Sequence, residues 1–121
     1  MPETVEVIDE LGIVVITSVG HITEHDLRLS RKTVRTICQE RGHTKILVDA
    51  TRQTNRLPTM AAFEHATNLA KDDYLRTAKH AIIASEHTEN DLYFFETAAN
   101  NRGARVRLFA TTEKALSWLM A

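Results

Sequence analysis

Two segments near the start of the chain have the apolar pattern of neighbouring strands. In residues 3–9, Val5 and Val7 alternate with polar side chains, which is typical of a strand with one face in solvent. Residues 12–19 contain the unbroken run Ile-Val-Val-Ile, which is typical of a central strand. Because only a short turn ending at Gly12 separates the two segments, the sequence predicts that they form a hairpin.

A helix and a third strand follow the hairpin. Thr23 and Asp26 have the spacing of a capping box, in which each side chain accepts a hydrogen bond from the backbone amide of the other residue. Gly42 suits the residue that ends a helix, so we expect the first helix over residues 24–41. Residues 44–50 include Ile-Leu-Val and predict a buried strand, which a polar loop follows.

The second helix is predicted from Pro58, whose missing N–H donor is not needed in the first turn of a helix. Large and apolar residues at helical spacing predict the face that packs on the sheet. These residues are Met60, Phe63, Thr67, Ala70 and Tyr74.

The remaining segments continue the alternation of strands and helices. Thr88 and Asp91 repeat the capping-box spacing and predict a third helix, which Gly103 ends. A strand at residues 80–84 precedes this helix, and a strand around Val106 and a last helix from Thr112 follow it.

This order of elements, ββαβαβαβα, predicts an α/β fold with about four helices and about five strands. The sheet is expected to be mixed and mostly parallel, because helices that link successive strands place them side by side in one direction, while the hairpin adds one antiparallel edge. With 121 residues, the chain can build one hydrophobic core. We therefore expect a single domain over residues 1–121.

Composition and charge exclude several classes of protein. The formal net charge is -1, which gives no general electrostatic support for binding nucleic acid. No apolar run approaches the length of about 18 residues that a membrane span needs, and the N-terminus has no basic region leading into an apolar one. The lone Cys38 fits a reducing compartment, so we expect a cytoplasmic protein.

No motif for a metal or cofactor stands up to its structural requirements. Residues 21–25 match the H-x-x-E-H pattern of some metalloproteases, but Thr23 is the predicted helix cap. His21 then precedes the helix and cannot share a face with His25, so we expect no metal site. The chain has no P-loop, no G-x-G-x-x-G and no C-x-x-C, so we expect no cofactor.

Polar residues that follow the predicted third and fourth strands are candidates for binding a ligand. Ligands of open α/β sheets gather beyond the carboxyl ends of the strands. The candidates at this rim are Asp49, Thr51, Arg52, Ser85 and His87. An alternative function is a small enzyme that uses Asp49, Arg52 and His87. Ser85, His87 and Asp49 could also form a hydrolase triad, but Ser85 does not lie in the G-x-S-x-G motif that such a nucleophile needs.

Two further surfaces are candidates for partners. Four consecutive bulky residues at 92–95 cannot all face one sheet, which leaves Tyr93 and Phe94 on the flanks of their helix, and Leu29 lies off the apolar face of the first helix. These three residues predict a homodimer or partner surface, or contacts within the chain.

The first helix also carries a basic stripe that either is solvated or meets an acidic protein, a lipid head group or a phosphate. The stripe consists of Arg28, Arg31, Lys32 and Arg35.

Over nearly its whole length the chain resembles the SpoIIAA-like family of the STAS and CRAL-TRIO superfamily. The resemblance is carried by Gly20, Ile22, Thr23 and Asp26 before the first helix, by the buried strand that ends in Asp49, and by residues 106–109 and 115–119.

This resemblance implies a STAS-like fold and a non-enzymatic binding or regulatory module. CRAL-TRIO relatives bind lipids, which implies a small apolar ligand between helices and sheet, next to Met60, Phe63 and Thr67. In anti-sigma-factor antagonists a phosphorylatable serine lies in Asp-Ser-Ser-Gly at the start of the helix after the third strand. Here residues 55–59 read Asn-Arg-Leu-Pro-Thr, which argues against a direct role in a sigma-factor switch.

Overall fold

The computed structural model describes residues 2–85 and 88–121 and builds a central sheet with helices on both faces. In the first half of the chain the elements are β1 (Glu3–Ile8), β2 (Ile13–Gly20), α1 (Glu24–Arg41) and β3 (Lys45–Gln53). They are followed by α2 (Thr59–Lys71), α3 (Asp73–Thr77), β4 (Lys79–Ala84), α4 (Glu89–Asn101), β5 (Arg105–Phe109) and α5 (Thr112–Met120).

The sheet has the order β1-β2-β3-β4-β5, with β1 antiparallel to β2 and the other neighbours parallel. The α/β class and the mixed, mostly parallel sheet are therefore confirmed. Crossovers between parallel strands are right-handed, and successive strands here are added in one direction across the sheet. As a result, α1, α2, α3 and α4 pack on one face. The last helix, α5, covers the opposite face through Ala115 and Leu119.

The structure has one short helix, α3, that was not predicted. The second helix was expected to run to about residues 71–74, but Asp72 leaves the helical region with φ -83 and ψ 122. Its side chain then accepts hydrogen bonds from the amides of Tyr74 and Leu75 and so begins α3. The described chain therefore has five helices rather than about four.

The start of α1 confirms the predicted capping box. The hydroxyl of Thr23 accepts a hydrogen bond of 3.1 Å from the amide of Asp26, and the carboxylate of Asp26 accepts one of 2.9 Å from the amide of Thr23. Gly42 ends the helix in the left-handed region with φ 72. All of these contacts are local in sequence, which explains why the pattern predicts them.

The capping box predicted for Thr88 and Asp91 is wrong. Thr88 makes no side-chain capping bond to α4. The Asp91 carboxylate instead accepts a hydrogen bond of 3.1 Å from the amide of Leu57, which is 34 residues away. A tertiary contact has taken the side chain that the local pattern assigned to the cap.

The predicted buried face of the second helix is wrong at its large residues, although Ala70 is buried as expected. Met60 is 69% exposed and Phe63 37% exposed. The buried residues of α2 are instead small, with one leucine: Ala61, Ala62, Ala66, Leu69 and Ala70. Small side chains let α2 approach α4 closely, so the large residues turn outward, where the Arg102 guanidinium covers the Phe63 ring at 4.4 Å.

Candidate functional site

The candidates from the third strand lie within it rather than in a loop beyond it. Strand β3 continues to Gln53, so Asp49, Thr51 and Arg52 are strand residues. The Oδ1 atom of Asp49 accepts hydrogen bonds from the amide of Thr51 at 3.0 Å and from its hydroxyl at 2.6 Å. The carboxylate of Asp49 is thus engaged by its own strand.

Ser85 follows β4 at the same end of the sheet, because Ala50 and Ala84 are paired in the β3–β4 register. The hydroxyl of Ser85 lies 3.1 Å from that of Thr88, a contact within its own turn. His87 lies outside the described residues.

The three interface candidates are all partly exposed, but they lie on two helices. Leu29 is 39% exposed on α1, while Tyr93 and Phe94 are 51% and 39% exposed on α4. Leu29 also lines a groove along α1 to which neither aromatic residue contributes.

A partly enclosed cavity of about 80 Å³ lies between the sheet and helices α1, α2 and α4. Most of its wall is apolar: Ile16, Val34, Ile46, Val48, Ala50, Leu69, Leu75, Ile82 and Phe95. A cavity next to the second helix was expected beside Met60, Phe63 and Thr67, but α2 contributes His65 and Leu69 instead. Because the alanine face of α2 packs inward, the helix is rotated about its axis relative to the prediction, and different side chains reach the cavity.

Polar groups enter this cavity at Glu3, which belongs to β1 and lies opposite Ser18 of β2. Glu3 is only 8% exposed, and its Oε2 atom accepts a hydrogen bond of 2.6 Å from the Ser18 hydroxyl. Its other oxygen, Oε1, is buried without a hydrogen-bond partner in the described part of the chain. Burial raises the pKa of the Glu3 carboxyl, and the charge of Asp26 adds to this, against the opposing hydrogen bond from Ser18.

Gln53 reaches the same cavity because β3 contains a bulge. Between the paired positions Thr17–Asp49 and Val19–Arg52, β2 advances two residues and β3 advances three. The extra residue reverses the alternation of side chains along β3. Ala50 and Gln53 therefore both line the cavity, although a regular strand would send them to opposite faces.

Two histidines form another part of the wall and are held in the neutral form. A guanidinium only donates, so the 2.8 Å contact from Arg31 requires that Nδ1 of His65 accept. Burial and then the charge of Arg31 lower the pKa of His65 to about 3. A carbonyl only accepts, so Nε2 of His80 donates its hydrogen bond of 2.6 Å to Leu75, and burial lowers the pKa of His80 to about 4.

The cavity opens between the start of α1, the segment before α2, and α4. Leu27, Leu57 and Leu92 line it and are partly exposed, so they form the mouth. Their positions are tied to the rest of the fold by Asn55, whose side chain accepts from the amide of Ile22 and donates to its carbonyl, both at 2.7 Å. The Asp91 contact to Leu57 fixes the same segment to α4.

The sequence contains a signal for part of this site. Glu3 lies two and four residues before Val5 and Val7, so the alternation of a strand places its carboxyl on the apolar face. Ser18 likewise lies on the same face of its strand as Val14 and Ile16. Gln53 had no such signal, because its orientation depends on the bulge.

Neither a metal cluster nor a membrane span is found within residues 2–85 and 88–121. No three His, Cys, Asp or Glu side chains there are grouped closely enough to hold a metal ion. None of the helices in these ranges combines the length and apolar character of a membrane-crossing segment.

Three solved structures are similar to this fold over nearly the whole chain. The anti-sigma factor antagonist SpoIIAA, in its unphosphorylated form, is 15% identical with a TM-score of 0.63, covering 97% of this chain and 96% of that one. An anti-sigma factor antagonist from Mycobacterium paratuberculosis is 14% identical with a TM-score of 0.62, covering 98% and 93%. An uncharacterised protein of the DUF3478 family from Shewanella loihica PV-4, described as having a SpoIIAA-like fold, is 19% identical with a TM-score of 0.62, covering 97% and 91%.

Comparison by sequence adds no family. No protein-family model matches the chain. No curated protein matches it either. At these identities the structural likeness shows the fold alone, and the expected SpoIIAA-like, STAS-like fold is thereby confirmed.

Proposed function

We propose, from the premise of a SpoIIAA-like fold, that this protein is a non-enzymatic cytoplasmic binding module with a regulatory role. Its ligand is a small, uncharged amphipathic molecule whose apolar end enters the cavity between the sheet and α1, α2 and α4. The observation that carries this proposal is the buried Glu3 carboxyl, with one oxygen unpaired among the described residues, in the wall of a mostly apolar cavity.

Around Glu3 the wall favours a neutral ligand over an anionic one, and the Arg31 guanidinium, which also lines the cavity, is engaged with His65. A carboxyl with a raised pKa carries a proton more readily than usual, and a protonated Glu3 can donate to a hydroxyl or carbonyl oxygen. An anionic ligand would lie next to a carboxyl in a poorly solvated site, which would make its binding less favourable. The aliphatic remainder of the wall suits a hydrocarbon chain.

The size of the cavity limits what it can enclose. Its volume of about 80 Å³ is that of roughly two or three water molecules at about 30 Å³ each. Pockets that enclose a whole drug-sized ligand measure about 300–1,000 Å³. A lipid-like molecule would therefore insert only the end of its chain, and the rest would cross the mouth at Leu27, Leu57 and Leu92.

The regulatory part of the proposal rests on the relatives by fold. The structures named as anti-sigma factor antagonists are proteins that act on another protein. In this chain the mouth residue Leu57 lies just before α2, so a ligand at the mouth would alter the surface around the start of that helix. We propose that such a ligand-dependent surface, rather than a phosphorylated serine, serves the regulatory role.

A methyl NMR titration with straight-chain alcohols from ethanol to hexanol tests the cavity. We expect shifts in the wall residues Val48 and Ile82, with affinity rising with chain length until the cavity is filled. Ala50→Val narrows the cavity and should weaken binding several-fold. Ala84→Val makes the same change on the adjacent strand, at a partly exposed position outside the cavity wall, and should leave binding unchanged.

Two results would contradict this proposal. Wild-type protein that shows no shifts of wall methyls has no accessible cavity. Equal binding by the wild type and by Ala50→Val would place the alcohol elsewhere. Native mass spectrometry of protein purified from its own host gives a second measure, because a co-purified ligand adds a defined mass.

The exposed aromatic residues of α4 support self-association as a second candidate function. Tyr93 and Phe94 are adjacent and expose 51% and 39% of their surface, and aromatic residues are enriched in interfaces. Phe94→Glu should convert a dimer to a monomer in sedimentation equilibrium, whereas Met60→Glu, at a position 69% exposed on α2, controls for the added charge. If the wild type is monomeric at high concentration, self-association is excluded, and this surface would have to bind a different protein.

A further inference from the structure

We propose that a groove along α1, which shares Arg31 with the lining of the cavity, binds an acidic helical segment of a partner protein. The groove has a volume of about 520 Å³ and lies beside the junction of α2 and α3. Its wall contains four cationic side chains, Arg28, Arg31, Lys32 and Arg35, and one carboxylate, Asp72. The groove is therefore strongly positive on a protein whose formal net charge is -1.

Three of these cations remain without a carboxylate partner. Within residues 2–85 and 88–121, Arg35 pairs with Asp72 at 2.7 Å, while Arg28, Arg31 and Lys32 form no ion pair. Glu24 precedes Arg28 by four residues, but this helical pair does not form a salt bridge. Arg31 donates to His65, which leaves Arg28 and Lys32, one turn apart, as the free charges of the groove.

The Arg35–Asp72 contact shows the kind of group that the groove accepts. A carboxylate from another helix junction already sits against the basic face of α1, with only 15% of its side chain exposed. Arg35 also stacks on the ring of Tyr74 at 5.3 Å, which holds the guanidinium in place. Carboxylates on a partner could approach Arg28 and Lys32 in the same way.

An apolar residue lies among the charges and specifies the partner further. Leu29 is 39% exposed and lines the same groove as Arg28 and Lys32. Positions 28, 29, 32 and 35 share one face of a helix. An acidic amphipathic helix, with an apolar side chain between its carboxylates, complements this face in both charge and polarity.

The shape of the groove favours a protein segment over an anionic membrane. A flat bilayer surface would contact the rim of a concave groove and would meet the carboxylate of Asp72 in its wall. A helix can enter the groove along its length, because two packed helices approach to about 8–10 Å between axes.

Fluorescence anisotropy with a labelled acidic peptide tests the proposal. The probe is a helical peptide of about 15 residues, about 22 Å long, rich in Glu, with Leu on one face. We expect the full-length protein to bind it, with an affinity that falls at high salt. The double variant Arg28→Glu with Lys32→Glu should weaken binding about tenfold or more, because two attractions become repulsions.

A matched double variant separates the groove from the overall charge of the protein. Arg105→Glu with Lys114→Glu makes the same charge change at exposed positions of β5 and α5, outside the groove. This variant should alter binding by about twofold or less, through long-range electrostatics only. Far-UV circular dichroism verifies that each variant is folded, and Arg28→Gln with Lys32→Gln repeats the test without charge reversal.

Three outcomes would overturn the proposal. The wild type fails to bind the peptide at low salt, or the groove and control variants lose affinity equally. In the third, vesicles of phosphatidylserine and phosphatidylcholine bind in a manner that depends on Arg28 and Lys32 while the peptide does not, which would assign the groove to a membrane surface. Replacement of the peptide's Leu residues by Gln should weaken binding several-fold if Leu29 takes part as proposed.

Discussion

Acidification below neutral pH is expected to destabilise this protein through the buried His80. His80 is 4% exposed and donates its Nε2–H to the carbonyl of Leu75 at 2.6 Å. Its pKa falls from 6.5 to about 4 in the folded protein because burial penalises the imidazolium. The unfolded chain therefore takes up this proton first, and stability is lost as the pH falls from about 6.5 towards 4.

The size of the effect follows from these two pKa values. Linkage with 6.5 in the unfolded state and about 4 in the folded state predicts a loss of about 2 kcal/mol between pH 7 and pH 5 from this residue alone. The slope in that interval approaches about 1.4 kcal/mol per pH unit. His65, whose pKa is lowered to about 3, adds a slope of the same sign.

Urea unfolding at several pH values between 5 and 7, followed by the fluorescence of Trp118, measures this loss. His80→Gln keeps a donor near the Leu75 carbonyl but cannot titrate. The variant is expected to start less stable than the wild type at pH 7 and to lose about 2 kcal/mol less on reaching pH 5. His25→Gln, at an exposed position, controls for the substitution itself. If the curves of free energy against pH for wild type and His80→Gln run parallel, the burial argument is wrong.

Three further changes test other parts of the structure. Glu3→Gln should gain stability relative to the wild type as the pH rises above about 4.5, because the wild type must ionise a buried carboxyl whose pKa is raised; a pH-independent difference in urea unfolding would contradict this. Asn55→Ala removes both hydrogen bonds to Ile22 and should cost about 2 kcal/mol in urea unfolding; Asn55→Asp should also destabilise the protein, because a carboxylate oxygen would face the Ile22 carbonyl and both groups only accept. Leu119→Ala, at a fully buried position under the sheet, should cost about 2–5 kcal/mol in the same assay, and the partly exposed Leu116→Ala should cost less; similar losses would show that α5 is loosely packed.

Local patterns predicted most element bounds because the interactions that set them are local. The first helix lies at residues 24–41 as expected, since its capping box and Gly42 act within a few residues. The antiparallel hairpin and the parallel strands also appear in the predicted order. The same reasoning failed at Asp91, where a backbone amide 34 residues distant took the carboxylate.

The orientation of α2 was predicted wrongly because weight was given to large side chains. Its buried face is mostly alanine, and the advantage of alanine appears only when a neighbouring helix packs closely. The turn from α2 into α3 similarly depends on Asp72, whose side chain caps the start of α3 and also pairs with Arg35.

The sequence by itself specifies the fold class, the order of the strands along the chain and most of the helix ends, since periodicity, caps and turns act over short stretches of backbone. The cavity and the groove could not be derived in this way. Glu3, Gln53 and His65 come from three different elements, and a bulge turns one of them inward. Their chemistry arises from desolvation and from partners distant in sequence, which exist only once the helices have packed on the sheet.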